Sequence, residues 1–473
     1  MLHYLLLTSC TIIIVFLAWQ IWKKTKQIAF IIGIGLLYYW SLLGSWFIIY
    51  DELTLQNGKN FGLAYYDYLI KLFPVHADKI YYLVISYYSI FIIVIELTVL
   101  YFTKKKEFNI ESNFKPIYIS HFWLITFCLS ATIISFIIIW TQILIAAKFH
   151  QSVYYITRNY HDNYYTIHQI LNQVAIVSLY IGFITFLSSK SSTYLTGSQK
   201  NNYIWAYAIA IFIIEGYLLF IGNKREIFFG GILGILFIII NMNNRINYKK
   251  LLVFFAIIIV PLFLNDGLRS YSPTFLTNYF NVSDLEFHPK EEISYTTFTA
   301  KNTVFRFIFS NEMFVPHFSM YGILSHNIPL TYGTSLVSLS ASIVPHFLWH
   351  DRPEGIYEYY ATQVNAKPGT GYTIHHASAW YLNFGVLGIL LGAFIFGIIW
   401  TFLYNQFNNL LNIRFKFFKI IYIIGFIAFT SNIASLIRGG PEAYKALVFE
   451  AILIPSFVIF VASIIESIIK KKH

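Results

Sequence analysis

Residues 2–26 read LHYLLLTSCTIIIVFLAWQIWKKTK. No acid, Lys or Arg interrupts Leu2–Trp22, and Lys23, Lys24 and Lys26 follow at once. About 20 apolar residues make a helix long enough for the hydrocarbon core of a bilayer. Lys and Arg beside such a helix stay on the cytoplasmic side. A cleaved signal peptide carries its basic residues before the apolar run. This order is the reverse, which predicts a retained anchor with its N-terminus outside.

The same unit recurs along the chain. Apolar runs cover roughly 2–22, 28–50, 80–103, 117–145, 167–188, 203–221, 227–242, 251–266, 376–404, 418–436 and 444–468. Basic clusters occupy alternate gaps: Lys23–Lys26, Lys104–Lys106 with Lys115, Lys190 with Lys200, Arg245 with Lys249 and Lys250, Arg414 with Lys416 and Lys419, and Lys470–Lys472. These clusters hold 18 of the 33 Lys/Arg but only two of the 22 acids, Glu107 and Glu111. Odd-numbered runs therefore point inward and even-numbered runs outward, with the C-terminus cytoplasmic. The expected fold class is an all-α polytopic membrane protein of about 11 transmembrane helices with one large extracytoplasmic loop. It divides into 1–264, the loop 265–375, and 376–473.

Composition agrees. The chain is 57% hydrophobic and 12% charged, with mean hydropathy +0.60, which excludes an ordinary soluble domain. The net charge of +11 sits largely in short inner loops, so it reports topology and anionic lipid rather than nucleic acid. Cys10 and Cys128 lie inside apolar runs and form no disulfide framework. No internal repeat appears. The smaller outer loops 51–79 and 148–166 are rich in Tyr and contain His76, His150 and His161, a composition that a membrane-interface belt already explains.

The insertion of about 110 residues, Asn265–His375, is too long for a plain connector. Its apolar-aromatic part, Phe305–Leu324, carries Arg306, Glu312 and His317. That pattern predicts an interfacial amphipathic helix or a pair of re-entrant segments.

Three constellations place charge at the outer face. The first is Gly222-Asn223-Lys224-Arg225-Glu226, whose cations stand against the inside-positive trend. It is either a structural pair of Arg225 with Glu215, or a clamp for an anionic head group in which Arg offers a planar fork of donors. The second is Ser435-Leu-Ile-Arg438-Gly439-Gly440-Pro441-Glu442. It is either a capping turn with a surface salt bridge to Glu442 or Glu450, or a place where glycine lets backbone approach a ligand. The third runs through VPHFLWHDRPE (344–354), GTGYTIHH (369–376) and YLNFG (381–385). It gathers His346, His350, Asp351, Arg352, Glu354, His375 and His376, the residue types of acid–base and oxyanion chemistry. Each histidine has a structural reading beside the catalytic one. No HxxxH spacing supports a metal site. The chain also lacks a Walker A sequence, a GxGxxG, a GxSxG elbow and a DxD pair on a cytoplasmic loop. That disfavours ATP-driven transport and nucleotide-sugar transfer at the inner face, so any substrate arrives membrane-borne and already activated.

In the GNKRE turn, VPHFLWHDRP, GTGYTIHHASAWYLNFG and IRGGP, the sequence resembles the O-antigen polymerase (Wzy-type) family of oligosaccharide repeat unit polymerases. The order and spacing of these short motifs and the single large outer loop carry the resemblance over most of the chain. O-antigen ligases share the architecture, and both groups have the C-type membrane glycosyltransferase fold. The resemblance implies a location in the bacterial inner membrane and a reaction that needs neither metal nor nucleotide cofactor. Donor and acceptor are undecaprenyl-pyrophosphate-linked oligosaccharides, and a chain-length regulator is a candidate partner. Arg225, Arg352 and Arg438 are the implied pyrophosphate contacts, with Lys224 secondary. His375, His376 and Asp351 are the implied candidates for general base. One departure stands out. Many relatives carry a Glu shortly before the YLNFG segment, where this chain has Ala377-Ser378-Ala379. Two further readings remain: an O-antigen ligase, and a polysaccharide transporter or flippase. A transporter predicts charges in the bundle centre, repeated halves and broken helices.

Overall fold

A computed structural model describes residues 2–53, 78–104, 119–159, 163–188, 197–222, 272–282, 285, 311–341, 354–365, 373–410 and 413–472. Among them every regular element is helical. The first are α1 (Leu2–Thr25), α2 (Ile28–Tyr38), a π-helical turn at Tyr39–Leu43, α3 (Gly44–Leu53) and α4 (Lys79–Phe102). Then come α5 (His121–Ile138), α6 (Trp140–Lys148), α7 (Val153–Asn159), α8 (Asn163–Ser188) and α9 (Gly197–Phe220). The third group is α10 (Asn311–Ser325), α11 (Thr334–Ala341), α12 (Ile356–Gln363) and α13 (His376–Asn408). The chain closes with α14 (Lys416–Ser431), α15 (Ile433–Gly439), α16 (Ala443–Ala446), a π-helical stretch Leu447–Leu453 and α17 (Ile454–Lys472).

Among the described residues, seven helical stretches are long and apolar enough to cross a membrane: Leu2–Thr25, Ile28–Ile49, Lys79–Phe102, His121–Ile138, Ser198–Phe220, His376–Asn408 and Ile433–Ile465. The protein is thus a polytopic helical membrane protein, as its composition requires. The apolar part of α8, Ile167–Phe183, is shorter, and α14 ends at Ser431 rather than running on to residue 436. The runs at 227–242 and 251–266 lie outside the described residues, and so do Lys224, Arg225, Asp351 and Arg352.

The chain divides into two compact units, each drawn from separated segments. One comprises 1–106, 294–406 and 432–447; the other comprises 107–293, 407–431 and 448–473.

In the first unit, α1 and α4 run parallel. His3 Nε2 lies 2.9 Å from the carbonyl of Asp78 at one end, and Lys24 Nζ donates to the carbonyl of Leu100 (2.6 Å) at the other. Asp78 caps α4 by accepting from the Tyr81 amide at 2.9 Å. Helix α2 returns beside α1, with Thr11 Oγ1 and Tyr38 Oη 2.9 Å apart. The later part of α13 follows α4: Asn405 Nδ2 donates to the Phe102 carbonyl (3.0 Å), and the Lys104 amide donates to Asn405 Oδ1 (3.1 Å). These are the relative directions expected of the first, second, third and ninth runs. Lys23, Lys24 and Lys104 accordingly share one end.

Close approach replaces the hydrophobic effect as the force between helices in lipid. Gly33 shows it: a Cβ there would stand 2.5 Å from the Trp400 ring, which is itself fully buried. In the second unit polar side chains join the helices. Ser135 of α5 bonds His168 Nδ1 (2.7 Å) and donates to Asn172 Oδ1 (2.7 Å) of α8, and it lies 3.1 Å from Tyr217 Oη of α9. Tyr180 Oη donates to Glu215 Oε1, so Glu215 has a partner other than Arg225.

Helix α10 differs from an amphipathic interfacial helix. His317–Ile323 are all buried, and the helix packs on the π turn and α4. The reason is that its polar residues His317 and Ser319 find partners inside the protein.

Glu96 of α4 is fully buried, and among the described residues neither carboxyl oxygen has a hydrogen-bond partner. An unpartnered acid at membrane depth costs stability, and an apolar side chain of similar size removes that cost. Glu96→Leu is expected to stabilise the folded protein by about 1–3 kcal/mol, read as a higher unfolding midpoint in detergent. A lower midpoint would mean that Glu96 has a stabilising partner.

Candidate functional site

The stretch HHASAWYLNFGVLGILLG (375–392) is apolar enough to read as the start of one straight span. It is instead a hairpin. Helix α13 breaks at Phe384 (φ −143, ψ 20) and Gly385 (φ 62, ψ −144), a conformation essentially reserved for glycine. The arm 376–383 folds back on the arm 386–408. A Cβ at Gly388 would collide with the carbonyl of Trp380, and one at Gly392 would collide with its indole. In a straight helix residues eight and twelve apart would be separated by about 12 and 18 Å. The two glycines, four apart, form the smooth face against which Trp380 lies.

The tip of the hairpin is held from outside. The carbonyl of Leu382, orphaned by the break, accepts from the Thr331 amide at 2.7 Å. Asn383 Oδ1 accepts from Thr331 Oγ1 (3.1 Å) and Ser335 Oγ (2.8 Å), and its Nδ2 donates to the Ala379 carbonyl (2.8 Å). The YLNFG segment is therefore a re-entrant turn: its Asn is the clamp and its Gly the reversal.

The hairpin carries His375 and His376 into the interior of the first unit, where both are wholly inaccessible. The Ala377 amide donates to His375 Nδ1 at 3.0 Å, so the ring proton is on Nε2, which bonds Ser41 Oγ at 2.9 Å. Trp380 Nε1 donates to His376 Nε2 at 3.1 Å, so the ring proton is on Nδ1, which donates to the Leu436 carbonyl at 3.0 Å. Each ring is neutral, and both nitrogens are engaged. A third histidine joins them. His317 Nδ1 bonds the Ser41 carbonyl (3.0 Å), and its Nε2 pairs with Tyr81 Oη (2.9 Å). Tyr88 donates to the His317 carbonyl at 3.0 Å and lies against the His375 ring, with centroids 4.1 Å apart. Ser319 Oγ accepts from the His375 amide (3.0 Å) and donates to Ser378 Oγ (2.9 Å).

The IRGGP turn meets this hairpin. Helix α15 stops at Gly439 because Gly440 takes φ 60, ψ −155. The stop orphans the Leu436 carbonyl that His376 then satisfies. A Cβ at Gly440 would stand 2.9 Å from that of Ala379, so the turn rests directly on the re-entrant arm. Glu442 Oε1 accepts from the amide of Ile356, 2.8 Å away, and so caps α12. Half-buried Arg438 places its guanidinium 5.4 Å from the Trp40 ring, and Trp40 adjoins Ser41 in the π turn. π-Helical turns recur at functional sites because they displace side chains from helical register.

Arg438, His375 and His376 thus come together around Trp40 and Ser41. His317 also carries a sequence signal, as an ionisable residue inside an apolar stretch. Ser41, Tyr81, Tyr88 and Ser319 carry none, since Ser and Tyr recur in most of the apolar runs. Chemically, the described residues of the site offer the Arg438 guanidinium, a cation with fork geometry, beside a neutral hydrogen-bonded network, which suits an anionic group. Among the described residues no group of three or more His, Cys, Asp or Glu is placed to hold a metal ion. No family model, curated protein or solved structure matches the chain.

Proposed function

We propose that the protein is a membrane glycosyltransferase that polymerises undecaprenyl-pyrophosphate-linked oligosaccharide repeat units into O-antigen, capsule or exopolysaccharide. The reaction takes place at the outer face of the bacterial cytoplasmic membrane, with the N-terminus outside and the C-terminus inside. The observation that carries this reading is the meeting of two motifs far apart in sequence. The HHASAWYLNFG and IRGGP segments, on which the family resemblance rests, converge on one site with Arg438 at its edge.

In the reaction, an acceptor hydroxyl oxygen bonds the anomeric carbon of the donor's reducing-end sugar. The bond from that carbon to the pyrophosphate oxygen breaks, and undecaprenyl pyrophosphate leaves. Negative charge grows on the leaving group, so a fixed guanidinium favours the transition state over the bound donor. Arg438 has this role, joined by Arg225, Arg352 and Lys224. The hydroxyl proton passes to a general base. With both ring nitrogens of His375 and His376 engaged, these histidines position the hairpin, and Asp351 is the remaining candidate for the base.

Arg438→Ala is expected to cut polymerisation about a hundredfold or more. Single-repeat product then replaces the ladder on a gel of surface glycan, at normal protein level. Arg438→Lys restores it only in part, because charge returns without the fork. A wild-type ladder in Arg438→Ala refutes the role. The broken α13 favours a second reading, a polysaccharide transporter, since transport sites are commonly built on discontinuous helices. Complete absence of surface glycan in Arg438→Ala would select it.

A further inference from the structure

Helices α1 and α2 leave between them an open groove with a volume of about 560 Å³. Its walls are aliphatic and indole, including Ile14, Val15, Trp19 and Trp22 of α1 and Ile31 and Gly35 of α2. One end closes where Thr11, Tyr38 and Trp46 bond in series, with Thr11 Oγ1–Tyr38 Oη at 2.9 Å and Trp46 Nε1 donating to Tyr38 Oη at 2.7 Å. The other end opens at the turn Lys23–Lys26. There Lys23 and Lys26 are exposed, and Lys23 Nζ stands 5.4 Å from the centroid of Trp19, a groove-lining ring. Lys24 turns aside to the Leu100 carbonyl.

Dimensions decide what fits. From Trp22 to Thr11 the groove follows α1 for about 16 Å. That is one leaflet of a hydrocarbon core about 30 Å thick. The groove's length and its aliphatic and indole walls suit a single acyl chain lying along α1 and α2. The basic mouth selects the head group, because lysines at a membrane surface attract anionic lipid.

We propose that this groove binds an anionic phospholipid, with an acyl chain along α1 and α2 and its phosphate at Lys23 and Lys26. The site is independent of the proposed catalytic role.

The test is native mass spectrometry of the full-length protein, delipidated in detergent and offered phosphatidylglycerol or phosphatidylcholine of identical chains. The expected result is a preference of about thirtyfold for phosphatidylglycerol, the worth of two lysines at a surface. The double variant Lys23→Gln/Lys26→Gln is expected to lose the preference while still retaining lipid. Gly35→Leu is expected to lower retention of both lipids, because a Cβ at Gly35 meets open space and the larger side chain enters the groove without disturbing the core. Equal retention of the two lipids by the wild type overturns the proposal. So does an unchanged preference in the lysine variant, or wild-type retention in Gly35→Leu. Displacement of phosphatidylglycerol by a lower concentration of undecaprenyl phosphate also overturns it, assigning the groove to the polyprenyl carrier instead.

Discussion

Gly388→Ala is expected to pull the α13 hairpin apart. The new Cβ would meet the carbonyl of Trp380, which is backbone and cannot rotate away as a flexible side chain would. Relief requires the two arms to separate. That separation also draws His376 from the Leu436 carbonyl and Asn383 from Thr331 and Ser335. The cost is roughly 3 kcal/mol or more, the upper end of overpacking effects. It should appear as a clear fall in the thermal unfolding midpoint in detergent, followed by tryptophan fluorescence, together with loss of the glycan ladder. Gly216→Ala is the control, because a Cβ there has nothing within 4 Å. It is expected to be neutral or mildly stabilising, since alanine is the better helix former. If Gly388→Ala melts with Gly216→Ala, the arms do not pack as described.

The second large effect is expected at His376. Alanine there leaves Trp380 Nε1 and the Leu436 carbonyl buried without their partner and opens a cavity as well. Each stranded group costs about 1–3 kcal/mol, so His376→Ala should lower the midpoint about as far as Gly388→Ala. Glutamine can accept from the indole and donate to the carbonyl, as the imidazole does. His376→Gln is therefore expected to recover much of the stability and the ladder with it. A reactive base predicts the opposite pair of results. His376→Ala would then fold normally and make no polymer, and His376→Gln would be equally dead. Unfolding midpoints and glycan gels of the two variants separate positioning from reaction.

A hydropathy reading could reach the spans because each depends on its own residues. The Leu2–Trp22 run with Lys23 and Lys24 behind it specifies a helix and an expected direction. The structure sets α1, α4 and the later arm of α13 parallel, with Lys23, Lys24 and Lys104 at one end. Arg438 and the paired histidines were also legible as candidates, since charge and imidazole beside apolar runs are uncommon enough to notice.

What hydropathy could not reveal is the reversal at Phe384–Gly385. The run 376–404 is apolar on both sides of the break, so a hairpin and a straight span have the same profile. The choice lies in the fit of the Trp380 carbonyl and indole to Gly388 and Gly392, and in the clamp that Thr331 and Ser335 place on Asn383. The burial of His375 has the same origin. Its partner Ser41 lies more than 300 residues away, and Ser41 reaches it through a π-helical turn that no local pattern announces. Local composition thus determined that the chain forms membrane helices, and which of several run parallel to one another. Only tertiary packing decided which polar side chains satisfy one another and where a helix turns back, because those free energies belong to contacts between segments rather than to any segment alone.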